Sequence, residues 1–189
     1  LSKNNNLEIK EKLSKLYLCN IFFIKKNDIN NVILEYNLVD HFTVKKIYPR
    51  NINIDIQPTK FVAQIKTDKI YLVGANGKLI NKKRENIKLP FLKGKFNQKQ
   101  FLIFKKIIND SEFKFTEFES IFLHPSGRID IMTKNNILMK LPKKQLNKAL
   151  RIAYNVISQD QFVNIKTIDL RIDNQIIIQK WIIKVLIYI

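Results

Sequence analysis

The hexapeptide Ile52-Asn53-Ile54-Asp55-Ile56-Gln57 is the clearest structural signal in the chain. Its apolar and polar residues alternate strictly, which predicts a β-strand with one face buried and the other in water. Pro58 ends this strand or marks a sheet edge, because proline has no backbone N–H to donate. Residues 42–48 are also rich in β-forming side chains, and Pro49-Arg50-Asn51 separates the two segments. Residues 42–57 therefore predict two strands joined by a turn.

Two helices are predicted on the N-terminal side of these strands. The first carries apolar residues on one face: Ile9, Leu13, Leu16 and Tyr17. The second begins after Asn27 or Asp28 as a cap and carries a similar stripe: Ile29, Val32, Ile33 and Tyr36. Residues 7–58 thus predict the order helix, helix, strand, strand.

The remainder of the chain predicts short strands interrupted by two helices. Ala75-Asn76-Gly77 has the composition of a hairpin turn, because asparagine and glycine tolerate positive φ angles. Asn97 is placed to cap a helix whose buried face is formed by Phe101, Phe104 and Ile108. A second helix begins near Pro142 and has an apolar stripe: Leu146, Ala149, Leu150, Ala153 and Ile157. Strands are expected at residues 61–66, 70–73, 78–80, 113–123, 128–133, 136–141, 162–170 and 172–178. This pattern predicts an α+β fold with antiparallel sheets.

The formal net charge of the 189 residues is +18. An excess of this size favours nucleic acid or anionic lipid as a partner. The lysines are dispersed along the chain, however, and lysine, asparagine and isoleucine are enriched together, which also fits a compositional bias towards A/T-rich codons. A nucleic-acid site usually concentrates its basic residues in one tract or on one face. No nucleic-acid partner is therefore expected, and a basic nucleic-acid-binding protein stays an alternative.

No residue pattern indicates catalysis or metal binding. His41 and His124 are the only histidines, and Cys19 is the only cysteine, so neither a zinc ligand set nor an internal disulfide is indicated. The four glycines form no phosphate-binding loop. No run of eighteen apolar residues occurs, so no membrane-spanning helix is expected within the chain. These observations predict a non-enzymatic protein without a cofactor.

The last predicted strand could bind a partner through its backbone hydrogen-bonding groups. Residues 172–178 end in three consecutive isoleucines, and an edge strand offers unpaired N–H and C=O groups to a partner strand. From the pattern alone, an internal or self-covered strand is equally compatible with these residues. The apolar tail at 179–189 could cover this edge or extend the interface.

Several short motifs together resemble the FtsQ/DivIB family of bacterial cell-division proteins. They are Asn20-Ile21-Phe22 with Ile24 and Ile29, Val44-Lys45-Lys46 with Pro49 and Ile52, Tyr71-Leu72-Val73 with Gly77, Leu89-Pro90 with Gly94, Gly127-Arg128 with Leu141-Pro142, and Ile168-Asp169-Leu170-Arg171. No single motif is specific, but their order and spacing across residues 20–178 are typical of the family. The family's proline before Val62-Ala63 is absent here.

This resemblance implies three parts. Residues 1–60 correspond to a POTRA domain that lacks its first strand, residues 61–178 to the family's β-domain with flanking helices, and residues 179–189 to an apolar tail. The family's membrane helix and cytoplasmic segment would precede Leu1. The resemblance also implies a single-pass protein of the inner membrane at the division septum, with this part in the periplasm. A POTRA-containing outer-membrane assembly or secretion component remains a second alternative.

The implied function is a divisome scaffold that links early division proteins to septal peptidoglycan synthesis. In the family, FtsB adds a strand to the last strand of the β-domain, FtsL is recruited with it, and other divisome proteins bind the POTRA domain. The corresponding residues here are Arg128, Arg171, Ile172, Asn174, Gln175, Ile176, Ile177 and Ile178. Many relatives have an aromatic residue at the position of Ile172.

Overall fold

The computed structural model describes residues 3–14, 22–49, 51–81, 88–159 and 164–181. Its helices are α1 (Lys3–Ser14), α2 (Lys26–Leu34), α3 (Gln98–Asn109) and α4 (Leu146–Ile157), with a 3₁₀ turn at Phe115–Glu117. Its strands are β1 (Val39–Ile47), β2 (Asn51–Pro58), β3 (Phe61–Lys66), β4 (Ile70–Gly74), β5 (Leu79–Ile80), β6 (Phe91–Gly94), β7 (Phe118–Leu123), β8 (Ile129–Thr133), β9 (Leu138–Leu141), β10 (Ile165–Asp169) and β11 (Ile177–Lys180). The α+β class predicted from the sequence is confirmed.

The chain divides into two compact units. The first comprises residues 1–61 and 72–82, and the second comprises residues 62–71 and 83–189. The apolar tail predicted at 179–189 is described only as far as Trp181, and Gln179 and Lys180 belong to β11.

The first unit buries the apolar face of the β1–β2 pair against helix residues. β1 and β2 are antiparallel, and the alternating pattern of β2 places its isoleucines against the core while Asn53, Asp55 and Gln57 are exposed. The core of this unit consists of Ile24, Ile29, Ile33 and Val39. The strand predicted at 52–57 is thereby confirmed, and β1 begins three residues earlier than the predicted strand. Leu16, Tyr17 and Cys19 lie outside the described residues.

The predicted Asn-Gly turn is confirmed and is fixed by the side chain of Asn76. Leu72 pairs with Ile80 across the β4–β5 hairpin, and Gly77 has a φ of +73°. The Asn76 amide donates to the carbonyl oxygens of Asn37 at 2.9 Å and Val39 at 2.8 Å. One turn residue therefore satisfies two backbone acceptors at the start of β1, one just before the strand and one in its first residue.

The sheet of the second unit is mixed, so the prediction of purely antiparallel sheets is wrong. Its strands lie in the order β11-β10-β9-β8-β7-β6-β3. β6 and β7 are parallel and flank α3 in sequence, and β9 and β10 are parallel and flank α4. A helix between two strands carries the chain back to the end of the sheet where the first strand began. The second strand therefore runs parallel to the first.

One face of this sheet carries a buried apolar row. A row of directly paired residues crosses four neighbouring strands with no exposed surface: Ile121, Ile131, Met139 and Ile168. α3 and α4 bury their own apolar stripes, including Phe101 and Leu150. Asn97 caps α3 as predicted, because its Oδ1 accepts a hydrogen bond from the Gln100 N–H at 3.1 Å. The helices thus cover the face that carries Ile131.

Several element boundaries differ from the sequence prediction. Asp28 is not the residue before α2 but lies in its first turn, where its carboxylate accepts a hydrogen bond from the Lys25 N–H at 2.8 Å. Pro142 precedes α4 by four residues, because Gln145 adopts the left-handed conformation with a φ of +56°. The predicted strand at 113–123 is divided, since a 3₁₀ turn precedes β7.

Candidate functional site: the edge strand β11 and its neighbours

β11 is the terminal strand of the sheet. It pairs antiparallel with β10 on one side, and among the described residues no strand lies on its other side. Ile177 is 45% exposed, and Gln179 and Lys180 are also exposed. The unpaired side of β11 therefore presents backbone N–H and C=O groups.

The residues predicted to form one long strand divide into a turn and a short strand. The prediction that the strand spans 172–178 is wrong at its start, because β11 begins at Ile177. Asn174 has a φ of +61°, which is incompatible with a strand, and the Gln175 N–H donates to the Ile172 carbonyl at 3.2 Å. Ile172, Asn174, Gln175 and Ile176 thus belong to the β10–β11 connection, whereas Ile177 and Ile178 lie in the strand.

The two isoleucines of β11 face opposite sides of the sheet. Ile178 pairs with Ile168, in the row on the helix-covered face. Ile177 pairs with Asp169 and lies on the opposite face. A strand added to β11 would therefore meet apolar surface on one side and charged surface on the other.

Arg171 is held by Asp169. Its Nε donates to both carboxylate oxygens, at 2.8 Å to Oδ1 and 3.0 Å to Oδ2, and its Nη2 donates to Oδ2 as well. The Arg171 backbone N–H also donates to Oδ1 at 3.1 Å. This is side-on bidentate pairing, which leaves the Nη1 side of the guanidinium for another acceptor.

The contact between Asp169 and Arg171 shifts the pKa of both side chains. Hydrogen bonding from the Arg171 side chain lowers the pKa of Asp169 below its ordinary value of 3.8, against the opposing effect of burial. The same hydrogen bond raises the pKa of Arg171. Asp169 is therefore ionised at neutral pH and fixes the orientation of the guanidinium.

Arg128 lies beside Asp130 much as Arg171 lies beside Asp169, but two strands away. Its Nε lies 3.4 Å from Asp130 Oδ1, although the geometry makes no hydrogen bond, and His124 Nε2 lies 2.8 Å from Asp130 Oδ2. Asp130 pairs with Lys140, and Lys140 pairs with Asp169, so their side chains share one face. We call Asp130, Lys140 and Asp169 the charged row. It crosses β8, β9 and β10, and the strand spacing places Arg128 and Arg171 about 10 Å apart, with Arg171 nearer to the edge strand.

A groove lies on the helix side of the edge. It has a volume of about 280 Å³ and is lined by Ala149 and Ile152 of α4 and by Leu170, Ile172 and Ile176 around the β10–β11 turn. Ile172 is 53% exposed and Ile176 is 49% exposed. Apolar side chains that are half exposed around a concave surface are suited to receive an apolar side chain of a partner.

The charged row was not singled out from the sequence. The charged row could have been identified from residue spacing, since residues two apart in extended backbone point to the same side. This spacing separates Arg128 from Asp130 and Asp169 from Arg171. The groove has no comparable signal, because its lining combines a helix with a turn that are distant in sequence.

Other candidate chemistry is weak in the described parts of the chain. They contain no group of three or more histidine, cysteine, aspartate and glutamate side chains that could hold a metal ion. His41 lies on the surface 3.3 Å from its neighbour Asp40. No described helix has the length and apolarity needed to cross a membrane.

Comparison with known proteins finds a family for more than half of the chain, including most of the second unit. A family model described as "Cell division protein FtsQ/DivIB, C-terminal" matches residues 62–171. A search of curated proteins finds no match. The matched segment includes the charged row and ends at Arg171, so β11 lies beyond it.

Proposed function

The chain belongs to the FtsQ/DivIB family of cell-division proteins, and we propose that it recruits FtsB, and FtsL with it, by strand addition to β11. The family consists of non-enzymatic scaffolds of the division septum, so the role of this protein in cell division follows from its membership. The proposal concerns which surface carries the interaction and which partner binds there.

The observation that carries the proposal is the unpaired side of β11. An extended partner segment would gain backbone hydrogen bonds along Ile177–Lys180 and extend the sheet beyond β11. The strand has four residues, and alternate residues direct their backbone groups outwards, so this contact supplies only about two to four hydrogen bonds. Side chains must therefore contribute much of the affinity.

The surroundings of β11 supply these side-chain contacts. On the helix side, Ile172 and Ile176 at the groove receive apolar partner residues. On the other side, Arg171 and Lys140 favour an acidic partner residue. Since Asp169 occupies the Nε side of Arg171, a partner carboxylate would bind end-on through Nη1 and Nη2. Arg128 contributes positive charge at the far end of the charged row.

Two substitutions at Ile178 test strand addition, because its backbone N–H faces away from β10. The Trp181 N–H donates to the Asn164 carbonyl on the β10 side, and alternation along the strand turns the N–H groups of Ile178 and Lys180 outwards. Alanine removes the side chain, whereas proline also removes the backbone N–H. We expect Ile178→Pro to weaken binding of a synthetic FtsB segment more than Ile178→Ala does, with cooperative thermal unfolding retained because proline is tolerated on edge strands where its nitrogen faces solvent. Equal affinities of the two variants would contradict the use of backbone hydrogen bonds.

Amide hydrogen exchange gives a second readout on the unmodified protein. Binding of the FtsB segment should slow exchange in residues 177–180, because outward N–H groups become hydrogen-bonded. Residues 134–136, in the β8–β9 turn, serve as an internal control. Binding without protection at 177–180 would place the partner elsewhere.

We further propose that residues 1–60 act as the POTRA domain, residues 61–178 as the partner-binding β-domain, and a membrane helix outside this chain as the anchor in the inner membrane. The order α1, α2, β1, β2 supports the first assignment, because it matches a POTRA domain without its first strand. Deleting residues 1–60 from the anchored protein should abolish its recruitment to the septum and leave FtsB binding intact. Loss of both activities would argue against this division of roles.

A further inference from the structure

The outward face of α3 carries large apolar residues between lysines. Phe101, Phe104 and Ile108 are buried, so this side of the helix faces the sheet. On the opposite side, Ile103 is 62% exposed and Leu102 is 37% exposed. Most helices on a protein surface direct polar residues outwards, so the exposed apolar pair needs an explanation.

Helical geometry places these residues in one continuous patch. At about 100° per residue, Lys99, Leu102, Ile103 and Lys106 all point within about 60° of the direction opposite to the buried stripe. Lys99 and Ile103 are four residues apart, as are Leu102 and Lys106, so each lysine has an apolar side chain as its neighbour. The face thus alternates positive charge with exposed hydrocarbon.

α4 extends the positive surface. Lys148 and Arg151, on its exposed face, line a groove with Ile107 of α3, so the two helices adjoin there. Asp110 and Glu112 line the same groove and carry negative charge. We call Lys99, Leu102, Ile103, Lys106, Lys148 and Arg151 the helix patch.

The charge of the two helices is one-sided. α3 contains three basic residues, α4 contains two, and neither contains an acidic residue. By contrast, α1 carries Glu8 and Glu11. The basic residues of the helix patch form no salt bridge with the part of the chain that the structure describes. Their charge is therefore available to an external anion.

We propose that the helix patch binds the surface of a membrane that contains anionic phospholipid. Lysine and arginine contact the headgroups, while Ile103 and Leu102 enter the boundary between headgroups and acyl chains. The exposed apolar residues favour a membrane over nucleic acid, because phosphate contacts alone would not require them. Lys148 also lines the groove beside β11, but Lys99, Leu102, Ile103 and Lys106 do not, so substitutions at these four residues test the inference independently of FtsB binding.

Co-sedimentation of the 189-residue chain with lipid vesicles tests this proposal. The vesicles contain either phosphatidylcholine alone or phosphatidylcholine with one third phosphatidylglycerol. Each basic residue near an anionic surface raises binding about fivefold, so Lys99→Gln with Lys106→Gln should reduce the partition coefficient by about 25-fold. The charge-matched control is Lys66→Gln with Lys134→Gln, two exposed lysines outside the helix patch, and its partition should change less than about twofold.

A second variant tests the apolar contribution. Leu102→Ser with Ile103→Ser keeps the net charge and should reduce partitioning by about tenfold or more. The proposal is overturned if both lysine pairs have the same effect, since binding would then report total charge only. It is also overturned if the serine variant partitions normally, or if a DNA duplex binds with the same dependence on Lys99 and Lys106. FtsB-segment affinity should be unchanged in every variant, which separates this outcome from that of the strand-addition test.

Discussion

Replacing Ile177 with alanine should weaken binding of the FtsB segment about sixfold. The side chain is 45% exposed, so a little under half of its surface remains to be buried by a partner strand. Isoleucine to alanine removes three methyl or methylene groups, worth about 0.8 kcal/mol each when fully buried. The exposed share is therefore about 1 kcal/mol, which corresponds to a factor of about six in Kd.

The part of the Ile177 side chain that is already buried should contribute to the stability of the fold instead. The same substitution removes up to about 1.3 kcal/mol from the free energy of unfolding, measured by urea denaturation. Ile70 provides a matched control, because it is 48% exposed and also lies in a strand, β4. Ile70→Ala should have a similar effect on stability and leave Kd unchanged.

Isothermal titration of both variants with the synthetic FtsB segment measures the difference directly. A change below about twofold for Ile177→Ala would show that no partner side chain covers this residue. Equal weakening by Ile70→Ala would show that affinity follows general stability rather than contact at β11. Either result refutes the assignment of Ile177 to the interface.

Three further predictions concern the supports of the fold and site. Gly94→Ala should lower the free energy of unfolding by more than about 2 kcal/mol, because Gly94 has a φ of +96° and a new Cβ would clash with the Leu123 carbonyl oxygen. An unchanged midpoint of urea denaturation would contradict this prediction. Asn76→Ala should lower the free energy of unfolding in urea by about 1–3 kcal/mol, because the hydrogen bonds donated by the Asn76 amide are lost. Asn76→Asp should not restore this stability, because a carboxylate cannot donate a hydrogen bond. The pKa of Asp169 is lowered by Arg171, so its stabilising effect is complete above the ordinary value of 3.8 and is lost as the pH falls through the folded-state pKa. Wild type and Asp169→Asn should therefore differ in unfolding free energy at pH 7 and converge in strong acid, and a constant difference would exclude ionisation as the cause.

The sequence predicted local structure well where side-chain periodicity is set by burial. Ile52, Ile54 and Ile56 alternate because one face of β2 packs against helices, and Phe101, Phe104 and Ile108 follow the turn of α3 for the same reason. The Asn-Gly turn was also predictable, since few residues tolerate its positive φ angles. In each case, the physical requirement lies within a few neighbouring residues.

The direction of strands and the residues at which they end were harder to predict from neighbouring residues. β6 has only four residues and was not predicted as a strand, so the parallel β6–β7 pair could not be anticipated. The start of β11 was placed too early, because the isoleucines on both sides of Asn174 resemble one apolar run. The left-handed conformation of Asn174 divides this run, and the hydrogen bond from the Gln175 N–H to the Ile172 carbonyl closes a turn there.

The shortness of β11 also limits homotypic growth. An unprotected sheet edge invites pairing between identical chains, and long, flat, apolar edges are those that extend into fibrils. Here the turn at Asn174 ends the strand on one side. On the other side, Trp181 donates its backbone N–H to the Asn164 carbonyl at 2.8 Å, and Lys166 lies over its ring. Two copies meeting edge to edge would align only four residues each, with Lys180 of one strand beside the other copy. Such a ladder gains few hydrogen bonds, so the described part of this edge is a poor template for pairing between identical chains.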